Sequence, residues 1–546
     1  MHESDQTPDD TRNERARSAA LAAAETLSVN PTGVVQFQSR GRVVVIGGEE
    51  AQWLAARLGP PLHAEVLLTE GDDEPGVPTT AVGGRELRIG GHLGAFEIEL
   101  GEPGKHSYQS IKTDMVIDLG DQPLIRAELP PPGYWHFERE ARDLDTAVLA
   151  VDGMVGTFEK PRYFDYDPSI CAHARSGQSG CRRCIDSCPA EAIISIGERV
   201  EVNPNLCQGG GICASACPTG AMRYAYPGPG DTAERLRLLL KTYARNGGTD
   251  PIVVFVAEID ASSLQATPAN VLLMVVEELA SIGHELWFAA LAWGASRVLL
   301  ADGGSMPDKA GAALEKQLAF SHELLRGMGY DADALRLVRT DEIVAQYVPV
   351  AGLPPAAEFA AGSEKRQFAA MAIGHFWQHS SQRPESIPIL PGAPYGRIRV
   401  DAEKCTLCMS CTSVCPAGAV SAGDEIPRLV FHETNCVQCS ICANACPERA
   451  ITLEARFLAD PEKRREAVVL HEEPPFCCVV CGTPFATRRV IDNILDKLAG
   501  HAMFQNDRAR RRLQMCEDCR VVDAVQDTDA MQSGIFGSRP SQTKNS

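Results

Sequence analysis

Apolar residues come along this chain in two kinds of short run, separated by polar breaks. "VVVIGG" at 43–48 is a buried-strand run ending in glycines, "EEAQWLAARL" at 49–58 repeats apolar residues at helical spacing, and "AEVLLT" at 64–69 is a second strand run. Together they predict a βαβ beginning. "GAFEIEL" (94–100) and "DMVIDLG" (114–120) predict further strands, and "ELPPPGYW" (128–135) a proline-rich exit. Between 231 and 345, helical and strand patterns alternate. "DTAERLRLLLKTYARN" carries an aspartate suited to capping and a leucine face, "PIVVFVAE" is a buried strand, and "ELWFAALAWGASRVLLAD" reads as helix, glycine break and strand. That alternation predicts a parallel α/β layer.

The same pattern divides the chain. Residues 1–30 read as a flexible N-terminal tail with a frayed helix, 31–150 as an α/β domain, and 231–350 as the cysteine-free parallel α/β domain. Residues 351–396, rich in Ala, Pro and Ser, read as a linker holding one helix ("KRQFAAMAIGHFW"), and 523–546 as a disordered tail. The overall expectation is a multidomain α/β plus α+β protein, as suits 546 residues of which 44% are apolar.

Composition changes that picture in two ways. A net charge of −20 lacks the basic footprint that phosphate binding requires, so a nucleic-acid partner is not expected; a positively charged protein patch suits it better, and the alternative is that the acidity only keeps the chain soluble. The opening "MHESDQTPDD" has no charged-then-apolar leader, and the longest apolar stretches run about ten residues where a span needs about 20. A cytoplasmic protein without a membrane span is expected. Gly47–Gly48 after the first strand is not G-x-G-x-x-G, so it reads as a structural turn, and flavin or nucleotide binding is not expected there.

The second change is the twenty cysteines, clumped at two- and three-residue gaps as metal ligands are, not dispersed as disulfide partners are. One pattern occurs four times: "CPAEAI" at 188, "CPTGAM" at 217, "CPAGAV" at 415 and "CPERAI" at 446. Proline after the ligand ends the short helix carrying the cysteines, and the next apolar residues start a strand. Four copies imply two pseudo-twofold modules, at 160–228 and 397–456.

In the second module Cys405, Cys408, Cys411 and Cys415 are followed by Cys436, Cys439, Cys442 and Cys446 at identical spacing. In the C-x2-C-x2-C-x3-C-P run the fourth cysteine ligates the other cluster. The expected sets are Cys405, Cys408, Cys411 and Cys446 for one [4Fe–4S] cluster, and Cys436, Cys439, Cys442 and Cys415 for the other. These 60 or so residues resemble bacterial ferredoxins with two [4Fe–4S] clusters.

The first module departs twice. Nine residues separate Cys171 from Cys181; a loop can bulge there while both thiolates reach the metal, so Cys171, Cys181, Cys184 and Cys217 are expected to hold a third [4Fe–4S] cluster. His173 in that loop reads as a surface histidine. The other half, "CQGGGICASACP", has Gly210 where a cysteine should stand, leaving Cys207, Cys213 and the handed-over Cys188. Ferredoxins with a gap at this position resemble it, and the resemblance implies a [3Fe–4S] cluster or a [4Fe–4S] cluster with an open corner.

"CCVVCGTPF" at 477 and "CEDC" at 516 bracket a helix whose Val490, Ile491, Ile494, Leu495 and Leu498 share a face. Cys478, Cys481, Cys516 and Cys519 are expected to bind Zn2+ in a zinc-ribbon-like domain at 470–522, with a single iron, as in rubredoxin, the alternative and Cys477 the spare thiol. The run "DRARRRL" reads as a solvated helix face.

The stretch "IGHELWFAALAWGASRVLL", with the later "LLRGMGYDADALRLV", resembles the small electron-transfer subunit of methyl-viologen-reducing hydrogenases that partners heterodisulfide reductase. The cysteines of that subunit have no counterpart here, so the resemblance implies docking or scaffolding for this segment. The whole order of pieces is similar to bacterial 4Fe–4S dicluster proteins related to heterodisulfide reductase and formate dehydrogenase electron-transfer subunits. An electron-transfer protein acting between redox partner proteins follows, with no substrate site of its own in view. The alternatives are a flavin- or nucleotide-binding oxidoreductase subunit using 31–135, and a redox-sensing or assembly protein.

Overall fold

The structure is a computed structural model that describes residues 8–29, 32–73, 76–102, 104, 108–137, 144–264, 267–342, 347–423 and 426–527. The tail expected at 523–546 lies outside them from 528 on. Contacts divide the chain into two compact units, one of residues 1–177, 181–394 and 456–461, the other of 178–180, 395–455 and 462–546.

In the first unit, strands Arg42–Gly47 and His63–Leu68 are parallel and joined by helix Glu49–Arg57, as their patterns predict. They sit in a five-stranded parallel sheet whose order runs from Thr79–Ala81 through His63–Leu68, Arg42–Gly47 and Met115–Asp118 to Tyr134–His136. Every second residue of the central strand faces one side. Val43 and Val45 pack on Ala51 and Leu54 of the helix, while Val44 and Ile46 pack on Phe96, Ile98 and Leu100. Those last three belong to a separate antiparallel sheet of Glu86–Gly90, Phe96–Gly101 and Tyr108–Thr113. The "GAFEIEL" strand is thus not a continuation of the βαβ series; its alternation serves one buried face of a small antiparallel sheet.

The cysteine-free segment forms the parallel layer its texture predicts, in the order Val271–Val276, Ile252–Ala257, Arg297–Asp302, Leu335–Arg339. Helices Pro229–Arg245, His284–Ala292 and Asp308–Gly327 flank its strands in sequence. Two segments expected to lie outside a core do not. The stretch read as a flexible tail holds helix Pro8–Glu25, whose Ala16, Ala20 and Ala24 are buried and whose Asn13 side chain accepts the Thr249 amide at 3.0 Å. Small side chains allow close helix packing at little entropy cost, which is why a low-moment sequence still docks. The helix of the expected linker, Lys365–His379, buries Phe368, Ala372, Ile373 and Phe376, with the Phe376 ring 5.7 Å from Phe288.

In the second unit, strand Gly396–Val400 pairs with Ile451–Leu458 from Val400 and Ile451 outward, and hairpin Val420–Ala422 with Arg428–His432 is extended by Ala467–Glu472. Hairpin Pro475–Cys477 with Pro484–Thr487 and helices Arg488–Leu498, Asp507–Arg512 and Glu517–Val525 complete it.

Candidate iron–sulfur and metal sites

Each half of the second module is a loop, a single turn of helix (Ser410–Ser413 or Ile441–Asn444) and a Cys-Pro stop. The loops depend on left-handed backbone at non-glycine residues: Leu407 and Met409 in one, Gln438 and Ser440 in the other, with φ of 53°, 60°, 55° and 70°. Left-handed residues at alternate positions are the backbone pattern that builds an anion-binding concavity, here between the first and third cysteines. The thiols converge across halves. Cys405, Cys408, Cys411 and Cys446 line one cavity with Leu429 and Ile451, while Cys415, Cys436, Cys439 and Cys442 line another with Ile398 and Phe431. Backbone amides of Ala419 and Ala450 donate to Cys415 Sγ at 3.2 Å and Cys446 Sγ at 3.3 Å, and Gln438 Nε2 donates to Cys436 Sγ at 3.3 Å.

Burial pushes the Cys411 thiol up to about 12, helped by Cys405, Cys408 and Cys446, and raises Cys442 with help from Cys436, Cys439, Cys415 and Cys411. Four thiolates so close in an apolar pocket repel one another unless cationic metal compensates them. The donor set therefore fits an iron–sulfur group: four soft sulfurs, N–H donors aimed at sulfur, and apolar walls.

The first module brings its thiols together in the same crosswise manner. Burial raises Cys184, and Cys217, Cys181 and Cys171 are the thiols that add to it. Cys213 is raised by burial and then by Cys207 and Cys188. The insertion between Cys171 and Cys181 is a small hairpin turning at Ser176 and Gly177, both left-handed, with Cys181 N donating to Ala172 O at 2.9 Å at its base. Two cysteines ten positions apart along the chain are thereby brought together. His173 is buried, 4% exposed, where the sequence reading placed it at the surface; Nδ1 lies 2.9 Å from Cys181 O and Nε2 2.7 Å from Ser195 Oγ. Both ring nitrogens are engaged in tying the hairpin down, a long-range role with no sequence signal.

Gly210 occupies a loop of the complete kind. Gly209 and Gly211 have φ of 87° and 69°, matching the left-handed pair in each complete half. Glycine is required twice over at 211, where an added Cβ would lie 2.5 Å from Ser281 Cβ, and at 209 it would meet the Tyr163 ring at 3.0 Å. At 210 the only neighbour of an added Cβ is Pro189 Cγ at 3.8 Å. Space does not explain the missing cysteine. Beside the site, Lys160 Nζ donates to Asn205 O at 2.9 Å and Cys207 O at 2.6 Å, and burial brings its ammonium down to about 8 against the opposing pull of Cys207. Its spacing from the cysteines gave no hint of this.

Near the C-terminus the Sγ atoms of Cys478, Cys481, Cys516 and Cys519 all lie within 4.8 Å of one another, the span of a single-metal site. The first knuckle is closed by Cys478 N to Thr483 O (2.8 Å) and Gly482 N to Cys478 O (2.9 Å), with Gly482 left-handed. Against burial, which raises it, the amides of Cys481, Cys516 and Val480 hold the Cys478 thiol down to about 6. Thr487 Oγ1 accepts from Val490 N and caps the intervening helix, whose Ile491 is buried. The basic run is not merely solvated: Arg512 and Arg508 pair with Asp523 and Asp527. Cys477 is exposed.

Comparison with known proteins agrees with this chemistry. Residues 404–451 match the family described as a 4Fe-4S dicluster domain, and 200–223 match the 4Fe-4S binding domain family. An uncharacterized ferredoxin of Methanocaldococcus jannaschii is 36% identical over 58 residues, 10% of this chain and 86% of that protein. Among the described residues no helix is long and apolar enough to cross a membrane.

Proposed function

Since the chain is an iron–sulfur protein of the ferredoxin-like type, we propose that it relays single electrons between a redox donor and a partner oxidoreductase through its two ferredoxin-type modules. The observation carrying this reading is the pair of four-thiol cavities in the second module, each completed by the Cys-Pro cysteine of the opposite half. The ligand sets are those read from the sequence: Cys405, Cys408, Cys411 and Cys446; Cys436, Cys439, Cys442 and Cys415; Cys171, Cys181, Cys184 and Cys217; and the three-thiol set Cys207, Cys213 and Cys188. The three complete sets take [4Fe–4S] clusters. The last takes a [3Fe–4S] cluster or a [4Fe–4S] cluster with one corner held by solvent. Zinc is the metal for Cys478, Cys481, Cys516 and Cys519.

Bound clusters supply one-electron storage; the chain's residues determine where it is held and how it is shielded. Leu429, Ile451, Ile398 and Phe431 keep water from the second module's cavities, and the amides of Ala419 and Ala450 stabilise negative charge on sulfur. The single-turn helices Ser410–Ser413 and Ile441–Asn444, which carry Cys411 and Cys442, pack against each other, an arrangement that would hold the two clusters of the module close together. The parallel domain at 231–350 then serves docking or scaffolding, as its resemblance to the small electron-transfer subunit of methyl-viologen-reducing hydrogenases implies.

A flavin or nucleotide site at 31–135 is disfavoured by its glycine turn. An added Cβ at Gly48 would meet the Glu50 and Glu70 side chains at 3.0 and 3.1 Å; two carboxylates stand at the turn where a phosphate would sit. The test is a cycle of dithionite reduction and re-oxidation by a one-electron dye on the anaerobically reconstituted protein. Rapid, repeatable bleaching and recovery with iron retained is expected. Loss of iron on the first cycle contradicts an electron relay and favours redox sensing, and a flavin spectrum favours the oxidoreductase subunit.

A further inference from the structure

The first unit contains a cleft that no thiol lines. Met222, Tyr224, Ile282, Leu286 and Phe368, all buried, form its apolar walls. Its interior offers ≈ 60 Å³ to the centres of water-sized atoms. At roughly 10–15 Å³ per water centre, that is room for about four to six waters, or one small molecule of one or two rings.

The polar groups of the cleft are unevenly matched. Ser281 Oγ donates to Glu278 O at 2.7 Å, Thr232 Oγ1 to Gly228 O at 3.2 Å, and Lys365 Nζ to Ala214 O at 2.8 Å and to Ser215 O. These donors are committed inward, which leaves a carboxylate and a phenol hydroxyl of the cleft to meet a ligand. Chief among them is Glu285, in the first turn of helix His284–Ala292, with 15% of its side chain exposed. Lys365 Nζ stands 3.7 Å from its Oε1, while Oε2 accepts no hydrogen bond and His284 Nδ1 lies 3.5 Å away. An unsatisfied carboxylate oxygen out of water is costly, and a rotation about the terminal side-chain bond presents either oxygen to the cleft. The Tyr224 hydroxyl is also without a hydrogen bond.

We propose that this cleft binds a small, uncharged, one- or two-ring aromatic molecule carrying an O–H or N–H donor, which Glu285 accepts. Opposite charges on Glu285 and Lys365 cancel locally, which favours a neutral ligand, and the Tyr224 and Phe368 rings suit a flat one. Because Lys365 also holds the carbonyls of Ala214 and Ser215, in the helix Ile212–Ala216 that carries Cys213, occupancy is positioned to be felt at the three-thiol site. The binding itself does not depend on any metal.

Equilibrium dialysis of the full, anaerobically reconstituted chain against 2-naphthol tests it, with 2-methoxynaphthalene as the same ring without a donor. One saturable site is expected for 2-naphthol, with the methoxy compound about tenfold weaker through loss of a hydrogen bond to a charged acceptor. Ser363→Trp, at an exposed residue on the cleft's rim, is expected to abolish the site while leaving the circular dichroism unchanged. Absence of saturable 2-naphthol binding, equal affinity for the two compounds, or binding indifferent to Ser363→Trp overturns the proposal. Iron measured on the same samples reports separately on the cysteine sites.

Discussion

The loop beginning at Cys436 and the loop beginning at Cys207 follow one backbone course and end in different chemistry. Both place left-handed residues two and four positions after the first cysteine, Gln438 and Ser440 in one, Gly209 and Gly211 in the other. In the complete loop these are ordinary residues, and a side chain in that conformation costs roughly 1–2 kcal/mol, so surrounding interactions must hold it there. In the incomplete loop they are glycines pressed against Tyr163 and Ser281. The second loop is therefore shaped by its neighbours rather than by a full set of ligands. It keeps the concavity with Gly210 where the complete loops have a cysteine, and Lys160 Nζ donates to the Cys207 carbonyl beside it.

Breaking the complete side of that comparison gives the largest effect. Cys439→Ala together with Cys442→Ala should remove about four irons per chain, since the two thiolates left in that set do not retain a cube, and metal analysis reads it directly. Gly211→Ala attacks the incomplete loop through its backbone. With φ at 69° and Ser281 in the way, it should empty the 207–213 site of about three irons, whereas the matching exchange in the complete loop, Ser440→Gly, should leave the iron content unchanged. Gly210→Cys should erase the difference between the loops. An added Cβ there has room, so the variant should gain about one iron and lose any [3Fe–4S] signal in the electron paramagnetic resonance (EPR) spectrum. The smallest effect is electrostatic. Lys160→Met removes a cation within hydrogen-bond reach of Cys207 O, which favours the more negative reduced state; the potential of that one site should fall while those of the other clusters stay put.

The two loops also mark what the sequence could disclose. Ligand spacing is local and fixed by short-range geometry, so the crosswise thiol groups and the C-terminal four-cysteine cluster could be read without coordinates, as could the parallel layer from its buried strands. What depends on distant partners could not. His173 is buried because Cys181 O and Ser195 Oγ converge on it, and helix Pro8–Glu25 is ordered by packing its alanines, not by an apolar stripe. The strand at 96–101 could be read as a strand but its sheet could not, because its partners, 86–90 and 108–113, make an antiparallel sheet of their own. Helix Lys365–His379 joined a core that its Ala- and Pro-rich surroundings did not announce, and Lys160 reached Cys207 from 47 residues away.

Everything in the comparison turns on the corner beside Gly210, and anaerobic EPR combined with metal analysis of the reconstituted full chain addresses it most directly. Three cubes, one three-iron site and one single-metal site amount to about fifteen irons and one zinc, and an oxidised [3Fe–4S] signal is expected alongside. Sixteen irons without that signal would mean an open-corner cube with its fourth iron held by solvent. Twelve irons with no such signal would contradict a cluster at Cys207, Cys213 and Cys188 altogether.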